Sequence, residues 1–362
     1  MLSLSKHLYR ISNQLLPQRS GSDASSLLNA RNAQHDDLTI QQKQAMTYEE
    51  LIKETALADE RIVVMTAENR ALIRNLPAVL GPRFIDTGIT EQTLIGVAAG
   101  LALRGRIPIL HALATFLTLR AFEFIRTDVG IGQLPVKLSG FVPGFLSDGN
   151  GPTHQAIEDV SLMRGIPGMT VFAPADEQDM LAMLPAIWAS TAPAYVRINT
   201  RPATYEHAPF EMGKAEIVAE GTDVTILTYG MLFEQTLVAR ELLQQQGKSV
   251  GLINLRSLKP IDEAALLAVV RRGGLIVTVE DHFVTGGLYS ILAEILLQNQ
   301  LTARVQPLAL MERWYRPGRL SAVLEYEGFT GHHIARRIAE YLGESGAAIA
   351  EGPAVLENQF AE

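Results

Sequence analysis

Residues Arg83 to Gly105 read RFIDTGITEQTLIGVAAGLALRG. A short extended segment, RFIDTG, gives way to a helix of small and apolar residues stopped by Gly105. Glu91 is the one carboxylate of that helix and stands at the junction. Thr90 is a good N-cap, and a carboxylate in the first turn complements the helix dipole. Those roles alone would account for Glu91. The rest of the helix opens a second reading. Gly96 and Gly100, with Val97, Ala98 and Ala99 between them, form a face almost without side chains. Such a face lets another helix approach closely, and a carboxyl group beside a dry contact of that kind can hold or share a proton.

The alternation continues in both directions. TYEELIKETALAD predicts a helix, RIVVMTA a strand ending at Glu68, IPILHALA a strand and TFLTLRAFEFIRTDVGI a helix. LPVKLSGFV, MTVFAPA and PAYVRIN predict further strands, with the helix EQDMLAMLPAIWAS between the last two. The polar stretch RPATYEHAPFEMGKAEIVAEG predicts an irregular link. Beyond it TDVTILTYG, KSVGLINLRSL, LIVTVED and RVQPLAL are strands, separated by the helices EQTLVARELLQQQG, DEAALLAVVRRGG and GGLYSILAEILLQN. Strand and helix in regular alternation give an α/β protein with mainly parallel sheets. The expected organisation is an arm over 1–45, a first domain over 46–205, a linker over 206–214, a second domain over 215–345 and a tail over 346–362.

Composition agrees with two sizeable cores. The chain has 362 residues, is 47% hydrophobic and carries 19% charged residues, and domains average roughly 100–200 residues. A net charge of −8 offers no basic surface for nucleic acid. Cysteine is absent, which excludes disulfides and thiolate-bound zinc. No apolar run reaches the ~18 residues of a membrane span. These features predict a soluble, cytoplasmic protein. The arm carries Lys6, Arg10, Arg19 and Arg31 and is rich in Ser, Asn and Gln. It suits either a frayed or docked extension or an organelle transit peptide.

Three further stretches carry candidate chemistry. SGFVPGFLSDGNGPTHQAIEDVSLMRG holds a long Gly/Pro loop, and such loops in compact domains are usually functional. His154 ends the loop where the helix QAIEDVSLMRG is expected to start, either as a polar helix start or as an imidazole facing a cleft. Phe116, Leu119 and Phe122 recur at helical spacing, as a core stripe or an apolar slot for a flat ring. Arg197 ends the strand PAYVRIN, where an exposed guanidinium would suit a surface ion pair or an anionic ligand at the carboxyl end of a sheet.

Taken together, GITEQ with GVAAGLAL, then TFL, DGNGPTHQAIEDVSLMRGIPGMTVFAPAD and VRIN, resemble the thiamine-diphosphate enzymes of the transketolase family over about residues 46–345. GTDVTILTYG, INLRSLKPID and VTVEDH followed by GGL extend the likeness into the second half. The resemblance implies a pyrimidine-binding domain followed by the family's C-terminal domain. It implies that Glu91 hydrogen-bonds N1′ of the cofactor's aminopyrimidine and promotes the imino tautomer, whose N4′ takes the C2 proton of the thiazolium. Phe116, Leu119 and Phe122 would flank the aminopyrimidine, and Glu68 would lie close to the cofactor. Asn150, His154 and Arg197 would face a sugar substrate, Arg197 near its phosphate.

The family binds diphosphate and a divalent metal through a separate domain with a GDG motif, which is absent from this chain. The resemblance therefore implies one subunit of a split transketolase, the C-terminal section, with no metal ligands of its own. A partner with the N-terminal section would hold the magnesium and diphosphate, and the GVAAG helix suits self-association across a two-fold axis. Val142 stands where transketolases carry a loop histidine, Asn150 replaces the usual aspartate, and ERWYRPGRL replaces a stretch that normally reads like FGESG. These departures point to a donor or acceptor other than the common pentose phosphates. Two other readings stay open. One is a decarboxylating relative, either deoxyxylulose-phosphate synthase or a 2-oxoacid dehydrogenase beta subunit. The other is a catalytically silent partner subunit.

Overall fold

The computed structural model describes residues 46–343. The arm and the tail lie outside the described residues. Among the described residues Thr47 opens the first helix, Tyr48–Ala58, with a capping box: its side chain accepts from Glu50 N while the Glu50 carboxylate accepts from Thr47 N at 2.9 Å.

Six strands of the first half are β1 (Ile62–Thr66), β2 (Phe84–Asp86), β3 (Ile107–Leu113), β4 (Lys137–Phe141), β5 (Thr170–Phe172) and β6 (Ala194–Ile198). The second half supplies β7 (Glu216–Ala219), β8 (Val224–Thr228), β9 (Val250–Asn254), β10 (Ser257–Lys259), β11 (Leu275–Phe283) and β12 (Arg304–Leu310). Two sheets result, in the orders β10-β5-β6-β4-β3-β1-β2 and β12-β11-β8-β9-β7. Both are parallel except at one edge: β10 runs antiparallel to β5, and β7 antiparallel to β9. The α/β architecture with mainly parallel sheets is thus the one expected. The apolar runs make physical sense, since every residue of β1, β6, β8 and β9 is buried, as strands covered on both faces require.

Three local expectations are corrected. The link expected to be irregular contains β7, because Ile217 and its neighbours pair with β9. The KSVGLINLRSL run breaks at Leu255–Arg256, and its second piece crosses to the first sheet as β10. The segment after β3 is not a regular α-helix but two π-helical pieces, Phe116–Arg120 and Ile125–Gly130, around one α-turn at Phe122–Phe124. Such wide turns concentrate at functional sites.

The order of the first sheet places a switch point beside β1. The chain leaves β1 for the edge strand β2 and then returns to β3 on the other side. In open α/β sheets, ligands bind outside the carboxyl ends of strands at such a reversal. There Glu68, Asn69, Arg70, Arg74, Asp86 and Leu113 line an open cleft of about 660 Å³.

Candidate active site

Each candidate side chain follows from a strand that ends at this edge. Asp86 closes β2, and its Oδ1 accepts from the backbone N–H of Gly88 at 2.9 Å and of Glu68 at 3.0 Å. Its Oδ2 is paired with Arg70. Partial burial works to raise the Asp86 pKa, but these hydrogen bonds and the guanidinium outweigh it and hold the carboxyl below its ordinary range. Asp86 thereby ties the turn leading to Glu91 to the end of β1, where Glu68 is held at a φ of 72°. Glu68 is exposed beside the cleft.

Glu91 is the first residue of the helix Glu91–Leu103 and is only 2% exposed. Its Oε2 accepts from Arg120 Nη1 at 2.7 Å. Among the described residues Oε1 has no hydrogen-bond partner. One expectation fails here. Thr90 does not cap the helix with its side chain, which donates instead to Thr87 O at 2.9 Å. Within the protomer the bare face is open at Gly96, Val97 and Gly100, and Glu91 is already buried without it.

Arg120 comes from the first π-helical piece, and its guanidinium lies 4.1 Å from the centre of the Phe116 ring. Phe116 in turn meets the His154 imidazole edge-on, ring centres 4.9 Å apart. Phe116, Leu119 and Phe122 are half-buried, while Leu117, Ala121 and Ile125 fill the core. Phe116 and Leu119 therefore stand outside the core, and Phe122 packs against it with one side still open.

His154 does not start a helix. It follows the 3₁₀ turns Asp148–Thr153, and the helix begins only at Asp159. The His154 Nδ1 lies 2.8 Å from Thr153 Oγ1, and its carbonyl accepts from Thr115 Oγ1. Asn150 is exposed in the same turns. Val142, at the mouth of this loop, has a φ of 46°, a genuine outlier for a β-branched residue.

Arg197 is not the exposed cation expected. It is 2% exposed and already held between two carboxylates. Its Nε donates to Asp159 Oδ2 at 3.0 Å and its Nη1 to Asp281 Oδ1 at 2.7 Å. Burial opposes the charged form, yet two flanking carboxylates hold the Arg197 pKa well above its usual value. Asp281 belongs to β11, so this cluster spans the two sheets. Beside it, burial raises Glu280 to about 7 despite hydrogen bonds from Leu288 N at 2.6 Å and Tyr289 N at 3.0 Å.

Sequence reasoning missed Arg120, Asp159 and Asp281. Arg120 had one signal, a lone cation within the apolar TFLTLRAFEF. The two aspartates stand within the motifs QAIEDVSLMRG and VTVEDH, but nothing local pairs them with Arg197, which is distant in sequence.

The class defined by this geometry is an α/β protein of two consecutive domains, with a buried carboxylate and an open aromatic face at the switch point of its first sheet. Residues 41–203 match the transketolase pyrimidine binding domain, and residues 213–334 match the transketolase C-terminal domain. The chain is 40% identical over 258 residues to the 6-deoxy-6-sulfo-D-fructose transketolase subunit SqwH of Clostridium sp. (strain MSTE9), covering 70% of this chain and 80% of that one. It is 34% identical over 265 residues to the 1-deoxy-D-xylulose-5-phosphate synthase of Dictyoglomus thermophilum (strain ATCC 35947 / DSM 3960 / H-6-12), covering 72% of this chain but 43% of the synthase. A solved split gene transketolase, an inactive beta4 tetramer, superposes with a TM-score of 0.73 at 32% identity, covering 82% of this chain and 97% of that one. The chain belongs to the transketolase family.

The residues present fit the aminopyrimidine half of thiamine diphosphate. Glu91 offers an unbonded oxygen, and the half-buried Phe116, Leu119 and Phe122 offer an apolar face. For the metal, no group of three or more His, Asp or Glu side chains among the described residues could hold an ion. No helix among them is long and apolar enough to cross a membrane.

Proposed function

We propose that this chain is the C-terminal-section subunit of a two-chain, thiamine-diphosphate-dependent transketolase that moves a two-carbon ketol unit from a ketose to an aldose. The observation that carries this reading is Glu91: a buried carboxylate at the carboxyl end of the sheet, bonded through one oxygen and open at the other. When bound, the cofactor supplies the nucleophile and the electron sink. This chain's part is to hold and shift the proton at the pyrimidine nitrogen through Glu91. The face of Phe116, Leu119 and Phe122 seats the ring and excludes water, with Glu68 at its border. His154 and Asn150 contact substrate oxygens.

Coverage supports the division of labour. The chain spans most of a split-transketolase subunit and less than half of a single-chain synthase. In this reading the partner chain brings the diphosphate and magnesium ligands. Copies of this chain meet across a two-fold axis along the exposed face of the helix Glu91–Leu103, and the enzyme works in the cytoplasm. Arg197, held between Asp159 and Asp281, is assigned to the frame around the site and not to a substrate phosphate.

The test is calorimetric titration of thiamine diphosphate with magnesium into this chain alone and into this chain with its partner. Binding should be weak in the first case and tight in the second. Tight, magnesium-dependent binding by the single chain would sink the split-enzyme reading. The 34% identity to a synthase is what speaks for the alternative, a decarboxylating reaction, and the same complex decides between the two. Offering the assembled complex pyruvate with an aldose should release no carbon dioxide, whereas ketose donors should be consumed.

A further inference from the structure

The loop that ends in His154 is held from both domains: Thr115 Oγ1 donates to the His154 carbonyl from the first, and the second grips the base and the tip of the loop. Its base is closed by Gly144 N donating to Ala156 O at 3.0 Å. Asp281, on β11, is fully buried against that base. Its Oδ2 accepts from Phe145 N at 3.3 Å, and its two oxygens take Nη1 and Nη2 of Arg197 at 2.7 and 3.3 Å. Arg197 Nη2 also reaches Ala156 O at 3.4 Å. The approach is so close that a Cβ on Gly144 would lie 1.8 Å from Asp281 Oδ2, and Gly144 also has a φ of +56°. Only glycine meets both demands without strain.

The next two residues of β11 continue the grip. His282 Nε2 accepts from Ser161 N at 3.3 Å, and Phe283 N donates to Ile157 O at 2.9 Å. At the tip, Gly318 N donates to Asp148 O at 3.1 Å, and Pro317 packs against Gly151. Both come from ERWYRPGRL, the segment that departs from the family pattern.

We propose that Asp281 is a positioning residue: through Arg197 and the Gly144–Phe145 backbone, the second domain sets where His154 stands beside Phe116. The inference rests on the reading of His154 as a substrate-facing group. Asp281 has no solvent exposure, so it acts through these partners and not on the substrate. A loop entered through Val142 at positive φ has to be held in place from outside, because its own backbone does not favour that conformation.

The experiment compares Asp281→Asn with Glu280→Gln in the assembled two-chain complex. Glu280 is the matched control: it is equally buried, but its hydrogen bonds go to Tyr229, Leu288 and Tyr289, all within the second domain. Hydrogen exchange of residues 142–161 should accelerate about tenfold or more in Asp281→Asn, the scale of losing one charge-assisted hydrogen bond. In the same variant kcat should fall about as far, while exchange of the cofactor's C2 proton keeps its rate because Glu91 is untouched. Glu280→Gln should loosen the helix Leu288–Gln298 and leave the loop protected. Should Asp281→Asn fail to assemble, Arg197→Lys keeps the charge, loses the two-pronged grip and carries the same expectations. Unchanged loop protection in the folded variant overturns the proposal, and so does a fall of C2 exchange in step with kcat. A complex that transfers no ketol unit would defeat the functional reading, and loop exchange would still decide whether Asp281 holds the loop.

Discussion

Arg120 donates to Glu91 Oε2 at 2.7 Å while its guanidinium lies over the ring of Phe116. One side chain thus links the carboxylate at the start of the helix Glu91–Leu103 to the aromatic face that follows β3. The pair is nearly closed to water on the glutamate side and open on the arginine side, with side-chain exposures of 3% and 37%. A buried carboxylate needs such a partner. Because only one oxygen is engaged, the other remains free for a ring nitrogen.

The first prediction follows from that geometry. Glu91→Gln keeps the volume and a hydrogen bond but has no proton to share. In the assembled complex, exchange of the C2 proton of bound thiamine diphosphate into deuterated water should slow by ~10²–10⁴, while cofactor affinity changes little. Equal exchange rates, followed by NMR, would leave Glu91 as a mere complement to the helix dipole.

His154 should separate from Glu91 in the same assay. His154→Ala removes the imidazole 4.9 Å from Phe116 but leaves the Glu91–Arg120 pair intact. Ketol transfer should drop by ~10²-fold or more with C2 exchange preserved. A parallel loss of both would mean that the variant damages the cofactor site and not substrate handling.

How much of this was legible in the sequence depended on the range of the interactions. The strands of both sheets were readable because buried parallel strands leave continuous apolar runs such as IVVMT. Glu91 was readable because it marks a strand-to-helix junction. Arg197 was misjudged because a guanidinium at a strand end looks the same whether it meets solvent or two carboxylates. Asp159 and Asp281 lie 38 and 84 residues away from it, and no local pattern announces such a meeting. The π-helical turns were missed for a related reason: the 3.6-residue stripe of Phe116, Leu119 and Phe122 looks regular, while the core is filled by Leu117, Ala121 and Ile125.

A stability prediction concerns His111, which plays no part in the proposed chemistry. It is fully buried on β3 between Tyr48 and Phe141, with ring centres 5.6 and 5.4 Å away, and neither ring nitrogen has a hydrogen bond. Burial lowers its pKa from 6.5 to about 4. A depressed folded-state pKa contributes stability that is present above the unfolded value and lost as pH falls. Between pH 6.5 and about 4 the unfolded chain gains a proton that the folded chain refuses. That window should cost about 3 kcal/mol. His111→Phe, of similar size, should flatten this acid limb in urea unfolding curves taken from pH 7 to pH 4. An unchanged slope in the variant would show that other groups govern the acid side.

The last prediction uses the exposed face of the helix Glu91–Leu103. Gly96, Val97, Gly100 and Leu103 are all exposed, Leu103 at 73%. Within the chain this face is open: a Cβ on Gly100 meets nothing within 4 Å, and one on Gly96 comes no nearer than 3.9 Å to Asp128 Oδ2. Gly100 is exposed and open at its Cβ, so Gly100→Leu should stabilise the helix of the isolated protomer by about 1 kcal/mol, since glycine is a poor helix former. Across a two-fold contact the same leucine would meet its own copy where two bare helices are expected to approach, and overlap of that kind is strongly unfavourable. Sedimentation velocity should show the variant at lower mass than wild type, with its circular dichroism spectrum retained and its thermal midpoint as a protomer not reduced. Ketol transfer with the partner chain should fall along with the assembly. An unchanged mass in Gly100→Leu would move the self-association surface away from this helix, because position 100 is exposed within the protomer and a Cβ there meets nothing.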